Sequence, residues 1–266
     1  MHANNLLNLS GRSSHSELIV SSTPTAQSLT GYRKAEPVYG ADGQRVLIIG
    51  SSVAHGWKDN PQDGGYLDRS FRVLSDLTSN HFEVYNKAVP GHGVMTIRKT
   101  YPTWLTDIHP DVVVIAWGGL DDLYAKTPMT SFQEQVKWEI QSALAKHALV
   151  IVVTSPVSKA SYTTYKLSQP ILFNDEMNVA KDFHNENVHV FNVFGQMKSY
   201  LSTHHETIRP YMGDAWHPNT AGHELAAQLF INDWSEQFGT GAVRYHGLSH
   251  GSPEPHSAVH RGSQVV

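Results

Sequence analysis

Two stretches, Val112 to Trp117 (VVVIAW) and Ala148 to Val153 (ALVIVV), are apolar at every position and rich in β-branched residues. A strand with one wet face alternates apolar and polar side chains, so strands this uniform belong in a parallel sheet covered by helices on both faces. Strand candidates run over Arg45–Gly50, Phe82–Ala88, Asp111–Trp117, Ala148–Thr154 and Val188–Val193, and amphipathic helical patterns fill about 66–78, 94–107, 130–146, 172–184 and 220–237 between and after them. The alternation predicts an α/β fold, a three-layer α/β/α domain around a parallel five-stranded sheet.

The chain of 266 residues has the composition of a globular protein, 40% hydrophobic, and no charge-rich linker divides it. With 20 basic against 24 acidic residues it carries a formal charge of −4, which argues against nucleic acid as a partner. The apolar runs are far short of the roughly 20 residues that span a bilayer, so no membrane span is expected. Met1 to Leu18 has neither a basic start nor a continuous apolar stretch, so no signal peptide is expected in the chain as given. Residues 1–40 and 244–266, rich in Ser, Gly, Asn, Pro and His, read as loosely packed tails around a domain at 41–240. There is no cysteine, so thiolate nucleophiles and sulfur-ligated zinc are excluded.

In an open parallel sheet the ligand crevice lies beyond the carboxyl ends of the strands. Four turns there carry chemistry: Gly50-Ser51-Ser52 after the first strand, Asn86 to Gly93 after the second, Gly118-Gly119-Leu120-Asp121-Asp122 after the third, and Asp214-Ala215-Trp216-His217-Pro218-Asn219 before the last helix. Asp214 and His217 are three apart in a turn, which lets the carboxylate meet Nδ1 while Nε2 points elsewhere; this is the base and orienting half of a triad. No GxGxxG, GxxxxGK[ST] or HExxH pattern is present, so neither phosphate cradling nor a helical zinc site is indicated. His223, six residues after His217, reads as a helix-face residue.

Gly50-x-Ser52, Asn86 with Gly91, Gly119-x-x-Asp122 and Asp214-x-x-His217-Pro218-Asn219 occur in the order of the four sequence blocks of the SGNH (GDSL-type) hydrolases, which this chain resembles over about residues 44–238. The resemblance implies a flavodoxin-like sheet and esterase chemistry without cofactor or metal. It makes Ser52 the nucleophile, His217 the general base and Asp214 its orienting carboxylate, with the main-chain N–H groups of Ser52 and Gly91 in the oxyanion hole. The family's third oxyanion donor is an Asn side chain, and here that position is Asp121. An ionised carboxylate donates no hydrogen bond and repels an oxyanion. Ser51 stands where the family has an acidic residue, and is a competing nucleophile.

Trp57, Tyr66, Tyr124 and Trp216 fall beside the same turns, and Trp57, Tyr124 and Trp216 are candidate substrate contacts suited to a sugar ring or aryl ester. The expected function is a serine esterase acting through an acyl-enzyme on Ser52, its partner a small-molecule or glycan ester such as an acetylated carbohydrate or a short-chain acyl ester. The alternative is a catalytically weak or inactive module of the same fold that binds a glycan or other ligand in the crevice.

Overall fold

The computed structural model describes residues 43–78 and 80–247. Five parallel strands, β1 (Gln44–Gly50), β2 (Phe82–Asn86), β3 (Val112–Ala116), β4 (Leu149–Val153) and β5 (Val188–Phe191), form one sheet in the order β2-β1-β3-β4-β5. The helices are α1 (Ser52–His55), α2 (Gly65–Leu77), α3 (Tyr101–Ile108), α4 (Leu120–Ala125), α5 (Met129–Leu144), α6 (Ser168–Lys181), α7 (Val193–Thr203) and α8 (Thr220–Phe238). No described helix is long and apolar enough to cross a membrane.

The uniform strands are buried on both faces, as their composition requires. Leu47, Ile49, Val113, Ile115, Val150 and Val152 pack with α3, α5 and α6. The alternate residues face the other way, where Phe71 of α2 meets Phe230 and Trp234 of α8 edge-on at 5.6 and 5.4 Å. Each buried Val or Ile contributes about 1.5–3 kcal/mol. The chain leaves β1 leftward to β2 and then crosses to β3, so the carboxyl ends of β1 and β3 flank the switch point where a crevice opens.

Three helical features differ from the sequence reading, and the simplest is α4, a short helix where only the turn from Gly118 to Asp122 was expected. The pattern at 94–107 divides into a 3₁₀ turn, Val94–Ile97, and α3, because Pro102 belongs in a first helical turn, where its missing N–H costs nothing. Helix α7 was not anticipated: Gly195 and the Ser/Thr residues blur its periodicity, yet Asn192 caps it by accepting from Gly195 N at 2.9 Å, and Phe194, Met197 and Leu201 are buried. At the other end of the sheet, Val243 N donates to Gln44 at 3.0 Å and His246 N to Asn187 at 2.6 Å, so anchoring reaches two residues past Arg244. Residues 1–40 and 248–266 lie outside the described residues.

Two carboxyl groups are fully buried on the inner sides of α5 and α6. Glu139 accepts from Trp117 Nε1 at 2.9 Å and Gln135 Nε2 at 3.0 Å, and burial pushes it up to about 8. Neither oxygen of Glu176 has a hydrogen-bond partner among the described residues, and burial, reinforced by Glu139 and Asp122, drives it well above the ordinary range. Because the folded values exceed the unfolded one, this contribution is complete below about pH 4.3 and is lost as pH rises through the folded values. Glu176→Met is expected to stabilise the protein by about 1–3 kcal/mol at mildly alkaline pH, and less in acid. Urea midpoints at about pH 5 and about pH 9 check this; a variant that loses stability with pH as steeply as the parent would contradict it.

Candidate active site

The serine stands at a strand–turn–helix junction. A β-carbon on Gly50 would lie 2.3 Å from the Ala116 carbonyl oxygen of β3, so a side chain cannot be accommodated where β1 turns. Ser51, 2% exposed, uses its hydroxyl to accept from Gly118 N at 3.2 Å, which ties the turns after β1 and β3 together. Ser52 opens α1.

The Asp214–His217 turn closes on itself through Gly213 N to His217 O at 2.9 Å and a Met212–Pro218 bridge. Asn219 then caps α8, accepting from Gly222 N at 3.0 Å. Within the turn, His217 Nδ1 lies 2.8 and 3.0 Å from the two carboxylate oxygens of Asp214, and Trp216 N and His217 N donate to the same carboxylate at 2.8 and 2.9 Å. Partial burial alone would raise Asp214, but these main-chain donors and the imidazole outweigh it and hold the carboxyl below its usual range. An ionised Asp214 keeps the proton on Nδ1, so Nε2 offers its lone pair to the Ser52 hydroxyl, 2.9 Å away.

Opposite lies the turn after β2. Asn86 Nδ2 donates to the Ala54 carbonyl of α1 at 2.9 Å and to Asp68 at 2.7 Å, fastening this turn to the serine helix. Gly91 adopts φ 78°, a left-handed conformation that suits glycine. The main-chain N–H groups of Ser52 and Gly91 find no acceptor among the described residues. Asp122, 3% exposed, receives Val94 N at 3.1 Å and the Thr127 hydroxyl at 2.9 Å, and so secures the loop that carries Gly91.

Asp121 is half-buried beside this loop. Burial and then the neighbouring Asp122 push its carboxyl up, partly offset by the attraction of His217 and His92, which places it within electrostatic reach of both imidazoles. Of the aromatic residues, Trp57 is 46% exposed with its ring 6.4 Å from that of His217, and Tyr124, 73% exposed, meets Trp216 edge-on at 5.8 Å. Tyr66 is not at the mouth: it is fully buried, 6.4 Å from the His223 ring. His223 itself receives Tyr66 N at 3.2 Å and lies 3.1 Å from the Trp57 carbonyl, so both nitrogens are engaged structurally. Sequence reasoning missed Tyr165, whose ring packs edge-on against Trp216 at 6.0 Å, and Ala160, whose N–H donates to Ala215 O at 2.8 Å and braces the Asp–His turn. Both lie between β4 and α6, Ala160 in the 3₁₀ turn Lys159–Tyr162, where the sequence carries no recognisable pattern.

The sequence pattern of the GDSL-like lipase/acylhydrolase family matches residues 48–225, a span that contains all of these turns. The chain belongs to this family. It is therefore an ester-hydrolysing enzyme, which weighs against an inactive binding module. No curated protein sequence matches it. Among solved structures it is similar to the acetylxylan esterase Axe2 from Geobacillus stearothermophilus, at 16% identity and TM-score 0.61, covering 72% of this chain and 94% of that one. It is also similar to a lipase/acylhydrolase from Enterococcus faecalis, at 19% identity and TM-score 0.61, covering 75% and 100%. At these identities the likeness concerns the fold, which is that of the family.

Proposed function

We propose that this GDSL-like enzyme is a serine esterase whose catalytic unit spans residues 41–240 and whose reaction passes through an acyl-enzyme on Ser52. The observation that carries the reading is the continuous chain from Ser52 Oγ to His217 Nε2 at 2.9 Å and from His217 Nδ1 to Asp214 at 2.8 Å. Ser52 attacks the ester carbonyl as His217 takes its proton; the carbonyl π electrons move onto oxygen, and the oxyanion is received by the N–H groups of Ser52 and Gly91. Collapse expels the alcohol, which takes the proton from His217. Water then repeats the sequence on the acyl-enzyme and releases the acid, restoring Ser52. No step requires a metal or cofactor.

The substrate is an acetylated carbohydrate or a short-chain acyl ester, a class that fits the exposed Trp57 and Tyr124 and agrees with the acetylxylan named for Axe2. A fluorophosphonate probe is expected to label Ser52 covalently. Labelling should vanish in Ser52→Ala and persist in Ser51→Ala, whose hydroxyl serves Gly118; persistence in Ser52→Ala would overturn the assignment.

A further inference from the structure

Ser52 and His217 come from segments 165 residues apart, yet the proton must pass directly from Oγ to Nε2 across 2.9 Å, a contact that tolerates little displacement. Ser52 rides on α1, a helix of four residues closed by Trp57 N, which donates to the Ser52 carbonyl at 2.9 Å. His217 stands at the entry to α8, whose first turn Asn219 caps. One buried side chain joins these two places. His223, in the first turn of α8 and 0% exposed, has Nε2 3.1 Å from the Trp57 carbonyl and receives Tyr66 N, at the start of α2, on Nδ1 at 3.2 Å.

The two partners decide the form of the imidazole. A carbonyl only accepts and a main-chain N–H only donates, so Nε2 carries the proton and Nδ1 presents its lone pair. An imidazolium, with N–H groups on both nitrogens, would lose the Tyr66 bond. Burial holds this histidine below its ordinary range, opposed by Asp59 and the Trp57 carbonyl and helped by Arg69 and His217. The segments it joins are themselves fastened. A β-carbon on Gly65 would lie 2.4 Å from Gly56 Cα, so the end of α1 meets the start of α2 backbone to backbone. Asp59 receives Gly65 N at 3.1 Å and Arg69 Nε at 2.7 Å, which ties the loop after Trp57 to α2.

Resting on the Ser52–His217 reading above, we propose that His223 is a positioning residue for ester hydrolysis: donating from Nε2 and accepting at Nδ1, it links the end of the Ser52 helix to the helix that follows His217 and so sets the distance between them. It touches no reacting atom. Helices α2 and α8 have a separate apolar contact in Phe71 against Phe230 and Trp234, so their packing does not depend on the imidazole alone.

The test compares the full chain with His223→Leu and His223→Gln on one chromogenic acetate ester, counting active sites by fluorophosphonate labelling of Ser52. Leu removes both hydrogen bonds, whereas Gln keeps a donor and an acceptor on a neutral side chain. In His223→Leu, kcat per labelled site is expected to fall roughly 10- to 100-fold with KM within about twofold of the parent; His223→Gln should return kcat to within about threefold. A merely structural role would lower the melting temperature and the number of active sites while leaving kcat per site unchanged, and that result would overturn the proposal. So would a His223→Gln variant as slow as His223→Leu. Should His223→Leu fail to fold, His223→Gln decides against the parent: kcat per site within about threefold supports the proposal and a larger loss contradicts it. Heteronuclear NMR of the parent's imidazole nitrogens needs no variant, and should show His223 protonated at Nε2 alone at neutral pH; protonation at Nδ1 would overturn the proposal. A parent that does not label at Ser52 would instead sink the esterase reading.

Discussion

Ser52→Ala and His217→Ala are each expected to lower kcat by roughly 10⁴- to 10⁶-fold, and the double variant to be hardly worse than either. Without the hydroxyl there is no nucleophile for His217 to activate. Without the imidazole, the Ser52 proton has no acceptor at 2.9 Å. Each substitution disables the same step, so their free-energy costs do not add. Asp214→Ala should cost less, because the backbone still holds the histidine while the charge that selects its tautomer is gone. Single-turnover and steady-state rates on one chromogenic acetate ester measure these effects; strictly multiplicative losses would contradict a triad acting as a unit. The tight Gly50 turn and the Ser51 bond to Gly118 are untouched by Ser52→Ala, so thermal stability should stay near that of the parent.

Asp121→Asn is expected to raise kcat at neutral and alkaline pH. An ionised carboxylate about 5 Å from the developing oxyanion, at an effective dielectric near 40 for a half-exposed group, costs on the order of 1.5–2 kcal/mol, or roughly tenfold to thirtyfold in rate. The amide removes this repulsion and adds a donor. Burial, and after it Asp122, raise the Asp121 carboxyl above the ordinary range, so a neutral Asp121, able to donate, would persist in the parent to a higher pH than a free carboxyl. Parent and variant should therefore converge in acid and diverge as pH rises through the Asp121 value. Profiles of kcat against pH decide it, and superimposable profiles would remove Asp121 from the oxyanion hole. Asp122→Asn, by comparison, keeps an acceptor for Val94 N and tests whether the loop bearing Gly91 depends on charge or only on the hydrogen bond.

The layered fold was legible because its signal is local. VVVIAW and ALVIVV state in six residues that both faces are covered, and regular alternation with helices leaves few topologies. The Asp214–His217 contact was legible for the same reason, since three residues of turn geometry bring the two groups together. Joining them to Ser52 required knowing that the serine turn and the entry to α8 lie at one end of the sheet, and the order of the family's blocks supplied that. Helix α7 escaped because propensity within the segment is weak while burial of Phe194, Met197 and Leu201 against the sheet is decisive.

What tertiary structure alone decided is which neighbours face one another across long separations. Tyr66 and Trp57 are equivalent in a list of aromatic residues near the serine, yet one is sealed against His223 and the other open to solvent. Tyr165 joins the mouth only because Ala160 docks its loop on Ala215. The protonation of Asp121 depends on burial and on charges from Asp122, His217 and His92, and Glu176, buried by the packing of the domain, has no hydrogen-bond partner among the described residues. Backbone periodicity and short turns are encoded by residues a few positions apart, so the sequence by itself determined the layers and the Asp–His pair. Desolvation and long-range pairing depend on the whole packed domain, so only the folded chain determined the site's electrostatics.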